Sequence, residues 1–186
     1  VKERMRADGS VETPLDQASL AVAIEGMKAA GVTSVAVCYM HAYRDRSHEE
    51  ETRRALAEAM PEAYVSLSSE VFPQIKEYER VSTTVVNAYV GPIVERYLGR
   101  LETRLKENGY DGPVLIILSH GGVAPISEAV RLAAATVLSG PAGGVAGSRH
   151  GAKLIGAGNL IPFDMGGTSS DISLIVDGEP ALSANR

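Results

Sequence analysis

The sequence predicts an α/β fold that ends in an antiparallel β-hairpin meander. Three observations predict it. Through Ile155, stretches with apolar residues every three or four positions take turns with short apolar, β-branched runs, so helix and strand patterns alternate. Val32 to Tyr39 alternates and is β-branched, while Pro113 to Leu118 is continuously apolar, as a strand covered on both faces is. From Gly158 onward the apolar runs are short and are joined by Gly-containing turns, the pattern of hairpins.

The elements follow in order. Residues 1–14 are polar, with turn signals at Asp8-Gly9 and Pro14. Leu20, Ile24, Met27 and Ala30 share one face of a helix from Leu15 to Ala30, closed by Gly31. Val32 to Tyr39 reads as a strand. Ser47, with Glu50 three residues on, forms a capping box and starts a helix to about Met60, where Pro61 stops it. Ala63 to Leu67 is a second strand. Val81 to Val86 is β-branched, yet Glu77 to Asn87 suits a helix, and that reading is adopted. Gly91-Pro92 restarts the pattern as a new helix, with Val94, Leu98, Leu101 and Leu105 on one face and Asn108-Gly109 as its stop. Pro113 to Leu118 has the composition of a fully buried strand. Ser127 caps a short helix containing Ala129, Val130 and Leu132. Ser139-Gly140-Pro141 opens a helix to about Ile155. Gly158 to Phe163 is a strand, Asp164 to Thr168 a tight turn, and Ser170 to Val176 the return strand. Asp177-Gly178 suits a two-residue hairpin turn before a third strand from Pro180 to Leu182.

Composition narrows the function. Of 186 residues, 45% are apolar and 22% charged, ordinary for a folded domain with its own core. Eighteen basic against 23 acidic residues give a net charge of −5, and no basic cluster is present. Nucleic acid is therefore not an expected partner. No apolar run approaches the length of a membrane span, so no membrane association is expected. The single Cys38 excludes a disulfide framework and suits a reduced, cytoplasmic setting, where it acts as a small buried hydrophobe. No leader pattern opens the chain. It starts at Val1 and stops at Arg186 just past a strand pattern, so an excised piece of a longer protein is expected.

The strongest chemical signal is Asp164-Met165-Gly166-Gly167-Thr168-Ser169-Ser170-Asp171 between two apolar runs. Glycines admit close backbone approach, and successive N–H groups in such a turn make an anion cradle. Thr168 adds a hydroxyl, and Asp164 at a strand end suits magnesium, which takes few carboxylates and keeps several waters. A plain β-turn with acidic caps is the bland alternative. A second signal is the glycine-rich start of the helix at Ser139. Its N–H groups and dipole favour an anion, while Gly140, Gly143 and Gly144 could equally serve tight helix–sheet packing.

These residues carry a resemblance. Asp164 to Asp171, the stretch SGPAGGV (Ser139 to Val145) and the stretch ERVSTTVVNAYVGP (Glu79 to Pro92) together resemble the hydantoinase A/5-oxoprolinase family, within the actin, sugar-kinase and heat-shock ATPase superfamily. The resemblance implies an incomplete actin-like (ribonuclease H-like) layered fold. It implies an N-terminal hydantoinase/oxoprolinase domain ending at residues 1–78 and a hydantoinase A domain starting over 79–186. The implied activity is ATP-dependent opening of cyclic amides such as hydantoins or 5-oxoproline, through phosphorylation of the ring amide oxygen. ATP and magnesium are the implied cofactors, and a hydantoinase B-type subunit or domain the implied partner. Asp164 and Asp171 would act in catalysis, with Asp164 on the metal. Gly166, Gly167, Thr168, Ser169, Gly140, Gly143 and Gly144 would hold the nucleotide. The isolated piece would be catalytically silent. Two rivals stay open: an acetone/acetophenone-type carboxylase subunit using the same clasp, and a non-enzymatic actin-like ATP switch.

Three further groups are candidates. Arg80, Thr84 and Asn87 fall on one helical face and could hold the carboxylate and amide of 5-oxoproline; a solvated helix with an Arg–Glu pair is the alternative. His120, in Ser119-His120-Gly121-Gly122, follows an expected strand end, where open α/β sheets bind ligands, and is a substrate-binding candidate. His48, beside Asp45 and Glu49, could suggest metal ligands, but a helix start explains those acids without a metal.

Overall fold

The computed structural model describes residues 1–167 and 169–181. They form two compact units, residues 1–111 with 130–134 and residues 112–129 with those from 135 on. Each is α/β in make-up. Among the described residues, no helix is long and apolar enough to cross a membrane.

The first unit opens with an antiparallel ribbon, β1 (Arg4–Met5) and β2 (Val11–Thr13). Helix α1 (Gln17–Ala29) begins at Asp16, whose carboxylate accepts the Ser19 N–H. It ends at Gly31, held at φ +65°. Strand β3 (Ser34–Val37), helix α2 (Ser47–Ala59) and strand β4 (Tyr64–Leu67) make a βαβ crossover. The two strands are parallel, with Ser34 opposite Tyr64 and Val37 opposite Leu67. Leu15, Leu20, Ile24, Val35, Val37, Leu56 and Leu67 are buried together as the core, drawn from the faces that the periodicity marks. Ser47 does not cap α2. The Asp45 carboxylate takes the Ser47 N–H at 2.8 Å, and Glu50 pairs with Arg46 instead of reaching back to the cap.

After α3 (Ser68–Val71), helix α4 runs unbroken from Glu77 to Glu107. The sequence expects two helices parted at Gly91-Pro92, and the structure has one. A proline inside a helix removes one N–H and leaves the carbonyl four residues earlier without its donor. Here that carbonyl belongs to Ala88, and Ser34 Oγ of β3 donates to it at 2.5 Å. The sheet thus supplies the bond that Pro92 cannot. Gly91 is small for a related reason: a Cβ there would lie 2.2 Å from the Tyr64 ring.

The second unit holds β5 (Leu115–Ile117) and β6 (Val123–Pro125), paired antiparallel, then α6 (Ser139–Ile155). Between them in the chain lies α5 (Ile126–Arg131). The expected fully buried strand at 113–118 is instead one half of a two-stranded ribbon, with Leu115 and Ile117 exposed. Composition reports apolarity correctly, but burial needs layers on both faces, and among the described residues this strand has β6 alone as its strand partner. Ser119 to Gly122 is therefore the ribbon's turn, not the mouth of a parallel sheet. Gly121 takes φ +81° there.

The hairpins come last. Strands β7 (Phe163–Met165) and β8 (Ser170–Ile172) pair antiparallel, as do β9 (Ile175–Val176) and β10 (Glu179–Pro180). Asp177 and Gly178 both have positive φ, +52° and +80°, as a two-residue turn matching strand twist requires. Within the expected strand at 158–163, Leu160 pairs antiparallel with Ile175 of the return strand, and the continuous ladder starts at Phe163 and takes in Asp164 and Met165, which the sequence places in the turn. The return strand divides into β8 and β9, with the Ser173 N–H bonded to Pro162 C=O between them. Leu182 lies outside the described residues.

Candidate functional site

The β7–β8 register sets Asp164 directly opposite Asp171, so both carboxylates leave the same face of the hairpin. Like charges placed directly opposite are destabilising unless a cation is shared. The turn beyond them is closed by the Gly166 N–H, which donates to Ser169 C=O at 3.0 Å. That amide is internally paired, so the phosphate contact expected of it would require the turn to open. Gly167 lies at the tip, and Thr168 lies outside the described residues.

Both aspartates line a cavity of about 310 Å³, closed on the other side by Pro141, Gly144, Val145 and Ser148 of α6. The glycines of this helix divide their work. Gly144 faces the cavity, where a Cβ would come within 3.9 Å of Asp164 Oδ2. Gly143 faces the ribbon, where a Cβ would sit 3.2 Å from Ile117 Cδ1, so its smallness serves packing. A Cβ on Gly140 would meet nothing within 4 Å. Helix α6 starts after Leu138, held at φ +61° with no side-chain cap. Pro141 and Ser148 escaped the sequence reading, although their spacing of three and four from Gly144 puts them on its face.

Two carboxylates of hard oxygen beside an open cavity fit a magnesium ion, which takes one or two carboxylates and completes its shell with water and phosphate. Among the described residues there is no group of three or more His, Cys, Asp or Glu that could hold a metal, so a cage made wholly of protein ligands is not present.

The Arg80, Thr84 and Asn87 face lies in the first unit and is fully buried. Thr84 Oγ1 donates to Arg80 C=O at 2.6 Å. Asn87 Nδ2 donates to Ser66 Oγ at 2.9 Å and to Arg131 C=O at 3.2 Å, and its Oδ1 accepts the Ala134 N–H at 2.9 Å. Asn87 thus ties α4 to β4 and to the 131–134 segment. Arg80 Nη2 donates to Tyr39 C=O at 3.0 Å and to the Glu77 carboxylate, and its guanidinium stacks 5.5 Å from the Tyr43 ring centre. The face is a buried polar seam, not the solvated surface that spacing alone allows.

The sequence offers Glu49 only as a helix-start acid beside His48. Fully buried, it accepts from Tyr39 N–H, Ser68 Oγ and Ser69 N–H, binding together the ends of β3 and β4. His48 bonds Glu3 at 2.9 Å through Nδ1, a contact that ties the start of the N-terminal ribbon to α2. Burial pushes the Cys38 thiol up to about 11, which makes it a poor nucleophile. His120 caps the β5–β6 ribbon. Its ring lies over Gly122, whose N–H donates to Nδ1 at 3.2 Å.

A hairpin of facing aspartates set against a glycine-bared helix makes the candidate site of the second unit, in a chain whose two units are each α/β. Comparison with known proteins gives the family. Residues 80–186 match the hydantoinase/oxoprolinase family and residues 1–60 match the hydantoinase/oxoprolinase N-terminal region. The chain belongs to the hydantoinase/oxoprolinase family. It is 38% identical over 180 residues to caprolactamase subunit alpha of Pseudomonas jessenii, covering 97% of this chain and 26% of that protein. With 5-oxoprolinase 1 of Arabidopsis thaliana it shares 37% identity over 166 residues, 88% of this chain and 13% of that one. The crystal structure of ATP-dependent caprolactamase from Pseudomonas jessenii superposes with a TM-score of 0.82 at 39% identity, over 92% of this chain and 25% of that one. The nucleotide-free structure of acetone carboxylase gives 0.83 at 28% identity, over 95% and 25%. The chain thus spans about a quarter of the caprolactamase subunit.

Proposed function

We propose that this chain is the phosphate-handling segment of an ATP-dependent enzyme that opens cyclic amides. The observation that carries the reading is the facing pair Asp164 and Asp171 on the wall of an open cavity, with Gly144 across from Asp164. The triphosphate tail of ATP lies in this cavity. Asp164 holds the magnesium, and Asp171 orients the clasp or a water. When bound, magnesium supplies charge neutralisation for the transferring phosphoryl group. Gly144 and Gly140 let the phosphates approach the start of α6, whose dipole adds to that neutralisation. Gly167, Thr168 and Ser169 complete the cradle.

The chemistry suits the substrate class. Amide resonance makes a ring carbonyl a poor electrophile. Attack of the amide oxygen on the γ-phosphorus would release ADP and remove that resonance; water would then add to the ring carbon, the C–N bond would break with the nitrogen taking a proton, and a second water would hydrolyse the resulting acyl phosphate to carboxylate and inorganic phosphate. The architecture is the actin-like, ribonuclease H-like one, entered near residue 79 from an N-terminal domain. The setting is cytoplasmic, with a hydantoinase B-type partner. These readings rest on the family and on relatives named as subunits. For the Arg80 face, the buried hydrogen bonds of Thr84 and Asn87 favour a positioning role over direct substrate contact.

A second reading, favoured by the structural match to acetone carboxylase, is a carboxylase subunit using the same clasp. The test is turnover of ATP by the full-length protein with its partner. Release of phosphate with lactams, hydantoins or 5-oxoproline supports the first reading, and release only with a ketone plus bicarbonate supports the second.

A further inference from the structure

A second cavity, of about 380 Å³, lies along the neighbouring face of α6. Ala142, Val145, Ala146 and Arg149 line it, one helical row round from the Pro141, Gly144, Val145 and Ser148 row that closes the aspartate cavity. Val145 and Ser173 line both, so the two cavities meet there. From the β5–β6 turn, His120 faces this second space.

Resting on the reading above, we propose that this second cavity binds the ring amide, and that it selects a neutral ring over one bearing a carboxylate. Four observations carry the proposal. The Gly122 N–H donates to His120 Nδ1, so the neutral ring keeps its proton on Nε2 and offers a donor to the cavity. A carbonyl oxygen accepts such a bond with one lone pair and keeps the other for phosphorus. The floor of Ala142, Val145, Ala146 and Leu174 is apolar, as methylenes of a ring require. Among the described lining residues Arg149 is the one cation, and its charge is met by Glu179, while its Nε donates to Gly178 C=O at 2.8 Å. It fastens the β9–β10 turn as a wall, and its own charge is already matched rather than offered to a carboxylate. Finally, the shared edge at Val145 and Ser173 sets a ring oxygen beside the phosphate cavity.

Ala142 and Ala146 then set ring size. The test uses the full-length protein with its partner, comparing wild type with Ala146→Leu, Ala142→Val, His120→Phe and His120→Gln. Substrates are a five-membered lactam, a seven-membered lactam and 5-oxoproline. Affinity for magnesium and a non-hydrolysable ATP analogue reports an intact fold and phosphate site. The expected result is unchanged nucleotide affinity, with the KM for the seven-membered lactam raised at least tenfold in Ala146→Leu and less for the five-membered one. His120→Phe loses at least tenfold in kcat/KM, His120→Gln restores most of it, and wild type prefers the uncharged five-membered ring to 5-oxoproline. If Ala146→Leu does not fold, Ala142→Val carries the same expectation. Wild type active on ring amides, with folded cavity variants of unchanged KM, would overturn the proposal alone. Preference for 5-oxoproline would overturn its neutral-ring claim. Wild type inactive on every ring amide would overturn the underlying reading and this proposal with it.

Discussion

Replacing Asn87 with Ala is expected to destabilise the first unit while leaving substrate affinity alone. The side chain is fully buried, and its amide spans four groups: Ser66 Oγ, the Tyr64 hydroxyl, Arg131 C=O and the Ala134 N–H. The Ser66 hydroxyl can rotate to another partner, but the two backbone groups cannot. A buried polar group deprived of its partner costs about 1–3 kcal/mol, so the two backbone losses together give about 2–4 kcal/mol after partial relief by water. That is a large share of the roughly 5–15 kcal/mol that holds a domain folded. Asn87→Asp keeps an acceptor for Ala134 but can no longer donate to Arg131 C=O, and should cost a comparable amount. Urea unfolding followed by far-ultraviolet circular dichroism gives the free-energy change, and the KM for a lactam in the full-length enzyme gives the substrate effect. A loss below 1 kcal/mol together with a raised KM would refute the assignment and return Asn87 to the substrate.

Other outcomes follow from the same geometry. Ser34→Ala should cost about 1 kcal/mol by leaving Ala88 C=O without its donor, and less in a Pro92→Ala background, where residue 92 regains an N–H; a double-mutant cycle of urea midpoints checks this. Cys38, with its thiol at about 11 against an ordinary 9.0, should react with iodoacetamide roughly a hundredfold more slowly in the native state than unfolded; equal rates would contradict its burial. Glu70 is held below its ordinary 4.5, first by its hydrogen bonds from Arg53 and then by that residue's charge, against an opposing effect of burial. A lowered carboxyl stabilises above its unfolded value and loses that stabilisation as pH falls through the folded one. The gap in stability between wild type and Arg53→Met should therefore be full at neutral pH and close below about pH 4.5; a gap independent of pH would refute it.

What could be read in the sequence, and what could not, divides along a physical line. The βαβ crossover was legible because Leu20, Ile24, Val35, Val37, Leu56 and Leu67 sit at helix and strand periods set by one core. The Asp177-Gly178 turn was legible because positive φ demands such residues locally. The continuity of α4 was not, since the bond that rescues Pro92 comes from Ser34, 54 positions before the carbonyl it serves. The face of Arg80, Thr84 and Asn87 was found by spacing, but whether a polar face meets water, ligand or protein depends on what packs there. Asp164 and Asp171 were legible as a motif; their direct opposition needed the register, which slipped β7 two residues into the expected turn. Arg149 and the row beside Gly144 stayed hidden because a bare helix face says little until its neighbours are placed.

The central claim is that Asp164 and Asp171 hold the metal-bound tail of ATP. Titration of the full-length protein with a non-hydrolysable ATP analogue, with and without magnesium, tests it most directly. The account predicts affinity that depends on magnesium and falls at least about tenfold, or about 1.4 kcal/mol, in Asp164→Asn. Magnesium-dependent binding that is undiminished in both Asp164→Asn and Asp171→Asn would contradict it.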